Sequence, residues 1–265
     1  MDFLNKIIWI TGASSGIGEA LVYELNKLNA KLIISSRREK ELYRVASNCT
    51  KKNKPYILPL DLEKNNELAL KANEAISAFG KIDILINNGG VGQEGLAINN
   101  TLEVEKKVMN INFFGNIELT RRVIPNMKKN GYGKIVVISS ILGKIGLPGL
   151  GIYSASKHAL HGYYEGLRQE VKSSGINVLI IKPGFIKTSV SENSLKSDGS
   201  ISGRQSSAQK NGMPADICAK KIIKAIKRNI EHVYISRYEH WVVYFKLIAP
   251  RLFYWLYNKF APKKS

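Results

Sequence analysis

The chain has 265 residues, of which 44% are hydrophobic and 23% are charged. A chain of this length can bury one sizeable core, and its composition differs from that of disordered, collagen-like or coiled-coil chains. Its 40 Lys and Arg against 21 Asp and Glu give a net charge of +19, which indicates nucleic acid, an anionic membrane surface or an anionic ligand as partner, or a compositional bias without function. The two cysteines, Cys49 and Cys218, exclude a disulfide framework and a CxxC zinc site and favour a reducing compartment.

Three further features narrow the class of protein. No charge-free apolar run approaches the roughly 20 residues that cross a bilayer. The first residues lead directly into an apolar segment, so we expect no secretory signal. The sequence contains no zinc finger, RNA-binding signature or basic heptad array, and we therefore expect no nucleic-acid partner.

Short apolar runs alternate along the chain with segments of helical periodicity. The runs are rich in Ile, Val and Leu at successive positions, as expected for strands covered on both faces. They are Lys6–Ile10, Lys31–Ser35, Tyr56–Leu60, Ile82–Ile86, Lys134–Ile138, Ile176–Ile181 and His232–Ile235. The candidate helices are Gly16–Leu28, Arg38–Cys49, Asn65–Phe79, Val104–Asn126, Gly151–Ser173 and Ala215–Asn229. This alternation predicts an α/β fold: a single doubly wound, Rossmann-type parallel sheet with helices on both faces, in one domain over residues 1–236.

A glycine-rich segment follows the first predicted strand. It reads Thr11-Gly-Ala-Ser-Ser-Gly-Ile-Gly18 and leads into a helix. Gly12 permits a tight turn, while Gly16 and Gly18 let the backbone approach a pyrophosphate, which the helix N-terminus attracts through its free N–H groups and its dipole. The segment predicts a dinucleotide site, with a plain strand–helix turn as the alternative.

The end of the second strand indicates which dinucleotide binds. An acidic residue here would bind the ribose hydroxyls of NAD, whereas an Arg would accommodate the 2′-phosphate of NADP. This chain has Ser36 at the expected acidic position, followed by Arg37 and Arg38. A planar guanidinium suits bidentate phosphate binding, so the sequence predicts NADP(H) rather than NAD(H).

A Tyr and a Lys lie one helical turn apart at the start of the helix near residue 151. Tyr153 and Lys157 therefore share a helix face. A free Tyr has a pKa near 10, which is too high for a base at neutral pH, and a nearby ammonium favours the phenolate. Ser140 follows the strand at Lys134–Ile138, and its hydroxyl is suited to bind and polarise a substrate carbonyl.

In order and spacing, these motifs resemble the short-chain dehydrogenase/reductase family, in the group with a TGxxxGxG loop. The resemblance extends over about residues 5–188 and includes Asp61, Asn87-Asn-Gly-Gly90, Asn112 and Pro183-Gly184 with Thr188. Gly89 replaces the family's usual Ala, and we expect little effect of this departure on the chemistry.

The resemblance implies a hydride transfer between a nicotinamide and a carbonyl or secondary alcohol. Tyr153 would exchange the proton, Lys157 would hold the ribose and lower the Tyr153 pKa, Ser140 would orient the substrate oxygen, and Asn112 would help to hold a water. The implied cofactor site comprises Thr11, Gly12, Ser14, Ser15, Gly16, Ile17, Gly18, Ser36, Arg37, Arg38, Asp61, Leu62, Asn88, Gly89, Tyr153, Lys157, Pro183, Gly184, Ile186 and Thr188.

Other candidates receive structural interpretations. His158 and His161 have no third ligand at metal-binding spacing, so we expect packing rather than a metal site. Tyr163 and Tyr164 are expected in the core or at a subunit interface. By analogy with the family, the chain is expected to form a homodimer or homotetramer.

By the same analogy, the polar segment Ser189–Gly212 would cover the substrate, and its low apolar content predicts a lid that orders on binding. Leu142, Leu147, Leu150 and Phe185 would join Ser140 and Tyr153 in the substrate site. These side chains favour a lipophilic substrate of steroid, retinoid or fatty-acyl type, with sugars and small ketones as alternatives.

The remaining residues, 237–265, form a basic tail rich in aromatic residues. From Lys220 to Ser265 there are 11 basic and 2 acidic residues, a balance of +9, and Pro250 is expected to break any helix. Two interpretations stay open: peripheral contact with a membrane through residues 238–260, or packing across the substrate cleft or on a partner subunit.

The sequence therefore predicts an NADP(H)-dependent oxidoreductase that is cytoplasmic, with or without peripheral membrane association. Two rivals belong to other classes: a non-catalytic NADP(H)-sensing binding protein, and a membrane-tethered scaffold that acts through its tail. An epimerase or dehydratase is less consistent with the glycine spacing.

Overall fold

The computed structural model describes residues 2–260, and the last five residues of the predicted tail lie outside them. Nine strands are present in this part of the chain. They are β1 Ile7–Thr11, β2 Lys31–Ser35, β3 Tyr56–Ile57, β4 Ile84–Asn87, β5 Gly133–Ile138, β6 Ile176–Pro183, β7 Ile186–Lys187, β8 Met213–Pro214 and β9 His232–Ile235.

Ten α-helices connect or follow the strands in residues 2–260. They are α1 Gly16–Lys27, α2 Glu39–Ser47, α3 Leu68–Phe79, α4 Leu102–Met109, α5 Gly115–Lys129, α6 Gly151–Val171, α7 Ser207–Lys210, α8 Ala215–Arg228, α9 His240–Ile248 and α10 Pro250–Phe260. None of the helices in this stretch has the length and apolar character needed to cross a membrane.

Seven strands form one parallel sheet in the order β3-β2-β1-β4-β5-β6-β9. Buried side chains cover both faces: one cluster packs under α1, α2 and α8, and the other packs under α3, α5 and α6. Strands covered on both faces must be apolar at successive positions, as the sequence indicated. The predicted doubly wound α/β fold is therefore confirmed. β7 and β8 form a separate parallel pair.

Two predicted elements differ from the structure. The third strand was expected to continue to Leu60, but only Tyr56 and Ile57 form ladder pairs with β2, at the edge of the sheet. Beyond them the N–H groups of Leu58 and Leu60 still donate to the carbonyls of Ile34 and Ser36. The single helix expected at Val104–Asn126 is divided into α4 and α5 by a π-helical turn at Asn110–Phe114.

The tail continues beyond the last sheet strand as two helices. Pro250 ends the first helix, as predicted, but it also starts α10, because its fixed φ suits the first turn of a helix. Val243 is fully buried against Ile141 and Ile145, so α9 packs on the segment that follows β5. The tail is therefore part of the folded body as far as α9.

Candidate active site

The strand order reverses between β1 and β4, whose neighbours extend in opposite directions across the sheet. In doubly wound sheets, ligands bind at the carboxyl ends of the strands beside such a reversal. Thr11 ends β1, Asn87 ends β4 and Ser140 follows β5, so three of the predicted motifs meet at this edge.

The glycine loop has the shape that a pyrophosphate requires. Gly12 and Gly16 have φ of +63° and +60°, in the left-handed region that favours glycine. A Cβ at Gly18 would overlap the carbonyl oxygen of Gly12, so the loop and helix α1 are in direct backbone contact. The N-cap residue Ser15 makes no side-chain capping bond, which leaves the N–H groups of the first turn of α1 for an anion.

Side chains from β1 and β4 hold this loop in place. The Oγ1 of Thr11 accepts hydrogen bonds from the N–H groups of Asn88 at 3.1 Å and Gly89 at 2.9 Å. In return, the Nδ2 of Asn88 donates to the carbonyls of Thr11 at 3.0 Å and Gly12 at 3.1 Å. A Cβ at Gly89 would lie 2.5 Å from the Cδ1 of Leu62, so the space of the family's usual Ala methyl is occupied by Leu62.

Of the two arginines that follow β2, Arg38 is the one with hydrogen bonds to the glycine loop. The Arg38 guanidinium lies over the loop and donates to the Oγ of Ser14 at 3.0 Å and of Ser15 at 2.8 Å, while Arg37 points to solvent. Ser36 accepts a hydrogen bond from the N–H of Arg38 at 3.1 Å. Arg38, rather than Arg37, is therefore the guanidinium next to the glycine loop.

The other predicted cofactor residues surround the same loop. Asp61 follows β3 and accepts a hydrogen bond from the N–H of Glu63 at 3.1 Å. Thr188 contacts the loop from the opposite side, since a Cβ at Gly16 would lie 3.0 Å from its Cγ2. Ile186 is buried in β7, and the backbone N–H of Gly184 donates to the carbonyl of Ile235 at 2.9 Å.

Ser140, Tyr153 and Lys157 come together next to this loop. The Oγ of Ser140 accepts a hydrogen bond from the N–H of Leu142 at 3.1 Å, which orients the hydroxyl. The Nζ of Lys157 lies 5.7 Å from the ring centroid of Tyr153 and donates to the carbonyl of Ile138, at the end of β5, at 3.0 Å. The predicted juxtaposition of phenol and amine is therefore present.

The direction of the Tyr153 pKa shift differs from the expectation. Burial raises the pKa of Tyr153 to about 12, and the hydrogen bond from Ser140 offsets this only in part. Burial also lowers the pKa of Lys157 to about 8. Loss of water disfavours the charged form of both groups. Burial therefore sets the net direction of the Tyr153 pKa shift, and the lowering of that pKa by Lys157 stays a prediction.

Asn112 occupies the π-helical turn between α4 and α5, a helix irregularity that often occurs at functional sites. Its Nδ2 donates to the carbonyl of Val91 at 2.9 Å and to the Oγ of Ser156 at 3.1 Å, and its Oδ1 accepts from the N–H of Val91 at 2.7 Å. One amide proton is therefore bound to the Val91 backbone and the other to the Ser156 side chain. A water in the predicted position would have to use the remaining acceptor sites.

His161 is buried on α6 and contacts Ser139, which periodicity alone did not indicate. It is buried, and its Nε2 lies 2.9 Å from the Oγ of Ser139, which donates to the carbonyl of Lys157 at 3.3 Å. Burial, reinforced by nearby positive charge, lowers the pKa of His161 to about 3, so the ring is neutral at physiological pH. Within residues 2–260 no group of three His, Cys, Asp or Glu residues is arranged to hold a metal.

The predicted substrate residues make different contacts, and their shared substrate site stays a prediction. Leu142 packs on Ile141 and Val243, and Leu150 bridges to Gly95, whereas Leu147 is half-buried between them along the chain. Phe185 lies on the segment that follows β6. It lines a hollow of about 270 Å³ together with the lid residues Ser207, Ala208, Asn211 and Gly212 and the tail residues Arg237, Tyr238 and Glu239.

The predicted lid, Ser189–Gly212, is hydrogen-bonded to the chain beside the site. The N–H of Leu195 donates to the carbonyl of Gly92 at 3.0 Å, and its carbonyl accepts from Glu94 at 2.9 Å. Ser197 donates to the Oδ1 of Asn100 at 2.9 Å, and Ser202 donates to the Glu94 carboxylate. These contacts close the lid over residues 92–100, and its ordering on binding stays a prediction.

The sequence and the structure have related counterparts among known proteins. A family model described as short chain dehydrogenase matches residues 6–199. The chain is 36% identical over 269 residues to a dehydrogenase/reductase SDR family protein 7-like from Anopheles gambiae, with 98% of this chain and 84% of that protein covered.

Two solved structures have the same fold. A short-chain dehydrogenase from Streptomyces avermitilis superposes with a TM-score of 0.83 and 25% identity, over 96% of this chain and 97% of that one. A short chain dehydrogenase/reductase from Burkholderia phymatum, solved in complex with NAD, gives a TM-score of 0.84 at 23% identity, over 95% of this chain and 96% of that one.

Proposed function

The chain belongs to the short-chain dehydrogenase/reductase family of oxidoreductases, and on this premise we propose that it interconverts a carbonyl and a secondary alcohol with NADP(H), on a lipophilic substrate. The observation that carries the proposal is the position of Ser140, Tyr153 and Lys157. All three lie at the carboxyl edge of the sheet, next to a glycine loop whose helix N-terminus has no side-chain cap.

The glycine loop fits a nicotinamide dinucleotide. Gly12 and Gly18 leave no space for a Cβ, and Arg38, Ser14 and Ser15 supply polar groups beside the loop. When bound, the cofactor supplies a hydride to the carbonyl carbon or accepts one from the alcohol carbon.

Tyr153 then moves the proton on the substrate oxygen. Because burial raises the pKa of Tyr153 to about 12, the phenol is protonated at neutral pH and is ready to donate in carbonyl reduction. Ser140 orients the oxygen through its hydroxyl, and Lys157 stabilises the phenolate that remains.

Replacement of Tyr153 by Phe is the direct test of this function. We expect Tyr153→Phe to lower kcat with the best carbonyl or alcohol substrate by at least 1,000-fold, because no other group at the site replaces the phenol, and to leave the Kd for NADPH within about 2-fold. NADPH absorbance would follow turnover, and fluorescence would follow binding.

Tyr163→Phe is a matched control on the same helix, and we expect it to keep wild-type activity. Undiminished turnover of Tyr153→Phe would contradict the assignment. A wild-type chain that binds NADPH but turns over nothing in a broad panel of carbonyls and alcohols would favour the sensing-protein rival instead.

The preference for NADP(H) rests on Arg38. A 2′-phosphate next to Ser36 would replace the contacts that Arg38 now makes with Ser14 and Ser15. A charge-assisted hydrogen bond contributes about 1.5–3 kcal/mol, which corresponds to a 10- to 100-fold change in affinity.

We therefore expect Arg38→Ala to raise the Kd for NADPH by 10- to 100-fold and to change the Kd for NADH by less than 3-fold. Lys40→Ala removes a nearby exposed charge from α2 and is the control, with both affinities expected to stay near wild type. Equal losses for the two cofactors would remove the claim of NADP(H) preference.

The exposed surface of the tail supports a contact with a membrane. Large apolar side chains stand in solvent on α9 and α10, with exposed fractions of 66% for Trp241, 84% for Ile248 and 57% for Trp255. We define the tail face as Trp241, Leu247, Ile248, Leu252 and Trp255. Arg251 and Lys259 lie among these residues, and aromatic groups mixed with basic ones suit the interface of an anionic bilayer.

We expect the wild-type chain to float with vesicles that contain phosphatidylserine and less with neutral vesicles. Each Leu or Ile buried contributes about 1.5–3 kcal/mol, so Leu247→Asp combined with Ile248→Asp should lower the bound fraction by at least 10-fold. Leu70→Asp, an exposed apolar position on α3, is the control and should float like wild type.

A second copy of the chain is the competing occupant of the tail face. Absence of flotation, together with a homodimer in sedimentation equilibrium that the double variant dissociates, would contradict the membrane proposal. The scaffold rival predicts that the double variant impairs the protein in cells more than Tyr153→Phe does. Cys49 and Cys218 are both free and buried, which supports the proposed cytoplasmic location with peripheral attachment.

A further inference from the structure

Glu239 is a buried carboxylate at the start of the tail. Only 7% of the residue is exposed, and no ion pair in residues 2–260 includes it. Its oxygens instead accept backbone hydrogen bonds from Phe185 at 3.1 Å, Arg237 at 2.7 Å and Tyr238 at 3.0 Å. A buried carboxylate without these donors would be strongly unfavourable, so the contacts hold the Phe185 backbone against residues 237–239.

One of these donors belongs to the segment that closes on the glycine loop. Phe185 follows Gly184 at the carboxyl end of β6 and leads to Thr188, which contacts Gly16. A Cβ at Gly184 would lie 2.9 Å from the Oε1 of Glu239, so the backbone of this segment rests directly on the carboxylate. Movement of Glu239 is therefore expected to displace the Phe185 backbone.

Helix α9, whose N-cap residue is Glu239, contacts the other side of the site. Val243, one turn after Glu239, is fully buried against Ile141 and Ile145. These two residues belong to the segment that begins directly after Ser140. The Nζ of Lys246 donates to the carbonyl of Lys144 at 3.3 Å. Helix α9 thus bridges the segment that carries Ser140 and the segment that carries Phe185.

The carboxylate stays ionised in this position. Burial alone would raise the pKa of Glu239, but hydrogen bonds from the N–H groups of Glu239 itself, Phe185, Arg237 and Tyr238 together outweigh it and leave the pKa below its ordinary value. The ionised form accepts more strongly than an amide would, and it is the form present at neutral pH.

We propose that Glu239 is a positioning residue of the substrate site, which holds the backbone of Phe185 and thereby makes the C-terminal helices part of the catalytic unit. The proposal rests on the oxidoreductase function proposed above. Phe185 and Glu239 line the same hollow of about 270 Å³, which none of Ser140, Tyr153 and Lys157 lines. Because the family analogy places Phe185 in the substrate site, we assign this hollow to a part of a bulky substrate other than its reacting carbon. The proton-transfer groups are held separately, by Ile138 and Leu142.

The test compares Glu239→Gln and Glu239→Ala with wild type in KM, kcat and the Kd for NADPH. We expect Glu239→Ala to raise KM for the substrate by at least 10-fold, with kcat within about 3-fold and a smaller rise in the Kd for NADPH, because the segment that Glu239 holds also contacts the glycine loop. Glu239→Gln keeps one accepting oxygen and should rescue KM in part. Glu231→Gln, which alters an exposed carboxylate at the opposite, amino end of β9, is the control and should behave like wild type.

Hydrogen exchange of the peptide that begins at Gly184 gives a second measurement that needs no turnover. Loss of the carboxylate should accelerate exchange of the Phe185 amide by at least 10-fold in Glu239→Ala and by a smaller factor in Glu239→Gln, a milder change that tests the contact even if Glu239→Ala does not fold. Unchanged exchange, or a KM that stays at the wild-type value in folded Glu239→Ala, overturns the proposal. An inactive wild-type chain would instead refute the proposed function, while the exchange result would still report on Glu239.

Discussion

The structure depends on the burial of two ionisable groups, the phenol of Tyr153 and the amine of Lys157, at the carboxyl edge of one parallel sheet. Removal of water disfavours the charge of both, so the phenol is kept protonated and the pKa of the amine falls to about 8. A phenol in this state is suited to donate a proton. Positive charge next to the phenol favours the phenolate, so the proposed cofactor at the glycine loop is expected to lower the Tyr153 pKa.

The other polar side chains of the site hold backbone segments in place and do not supply further reactive groups. Asn88 and Thr11 tie the glycine loop to β4, and Asn112 ties the π-helical turn to Val91. Glu239 acts in the same way on the far side, through the N–H of Phe185. In each case a buried polar side chain is satisfied by main-chain groups of another segment, and such contacts hold positions that apolar packing alone would leave adjustable.

Much of this arrangement could be predicted from the sequence, because apolar runs, glycine spacing and the interval between Tyr153 and Lys157 are local properties. The features in which the structure differs from the sequence-based prediction depend on tertiary contacts. The short third strand lies at the edge of the sheet, and the division of Val104–Asn126 occurs where Asn112 contacts Val91 and Ser156. The sign of the Tyr153 pKa shift could not be predicted either, since burial depends on elements distant in sequence.

The most direct test is a titration of the Tyr153 phenol by tyrosinate absorbance, taken as the difference between wild type and Tyr153→Phe. For the protein alone, we predict ionisation near pH 12, as burial requires. Saturating NADP⁺, which carries a positive nicotinamide, should shift this ionisation at least two pH units lower, while NADPH should not. A phenol that titrates at the same pH in all three conditions, or already near neutral pH in the protein alone, would contradict the account.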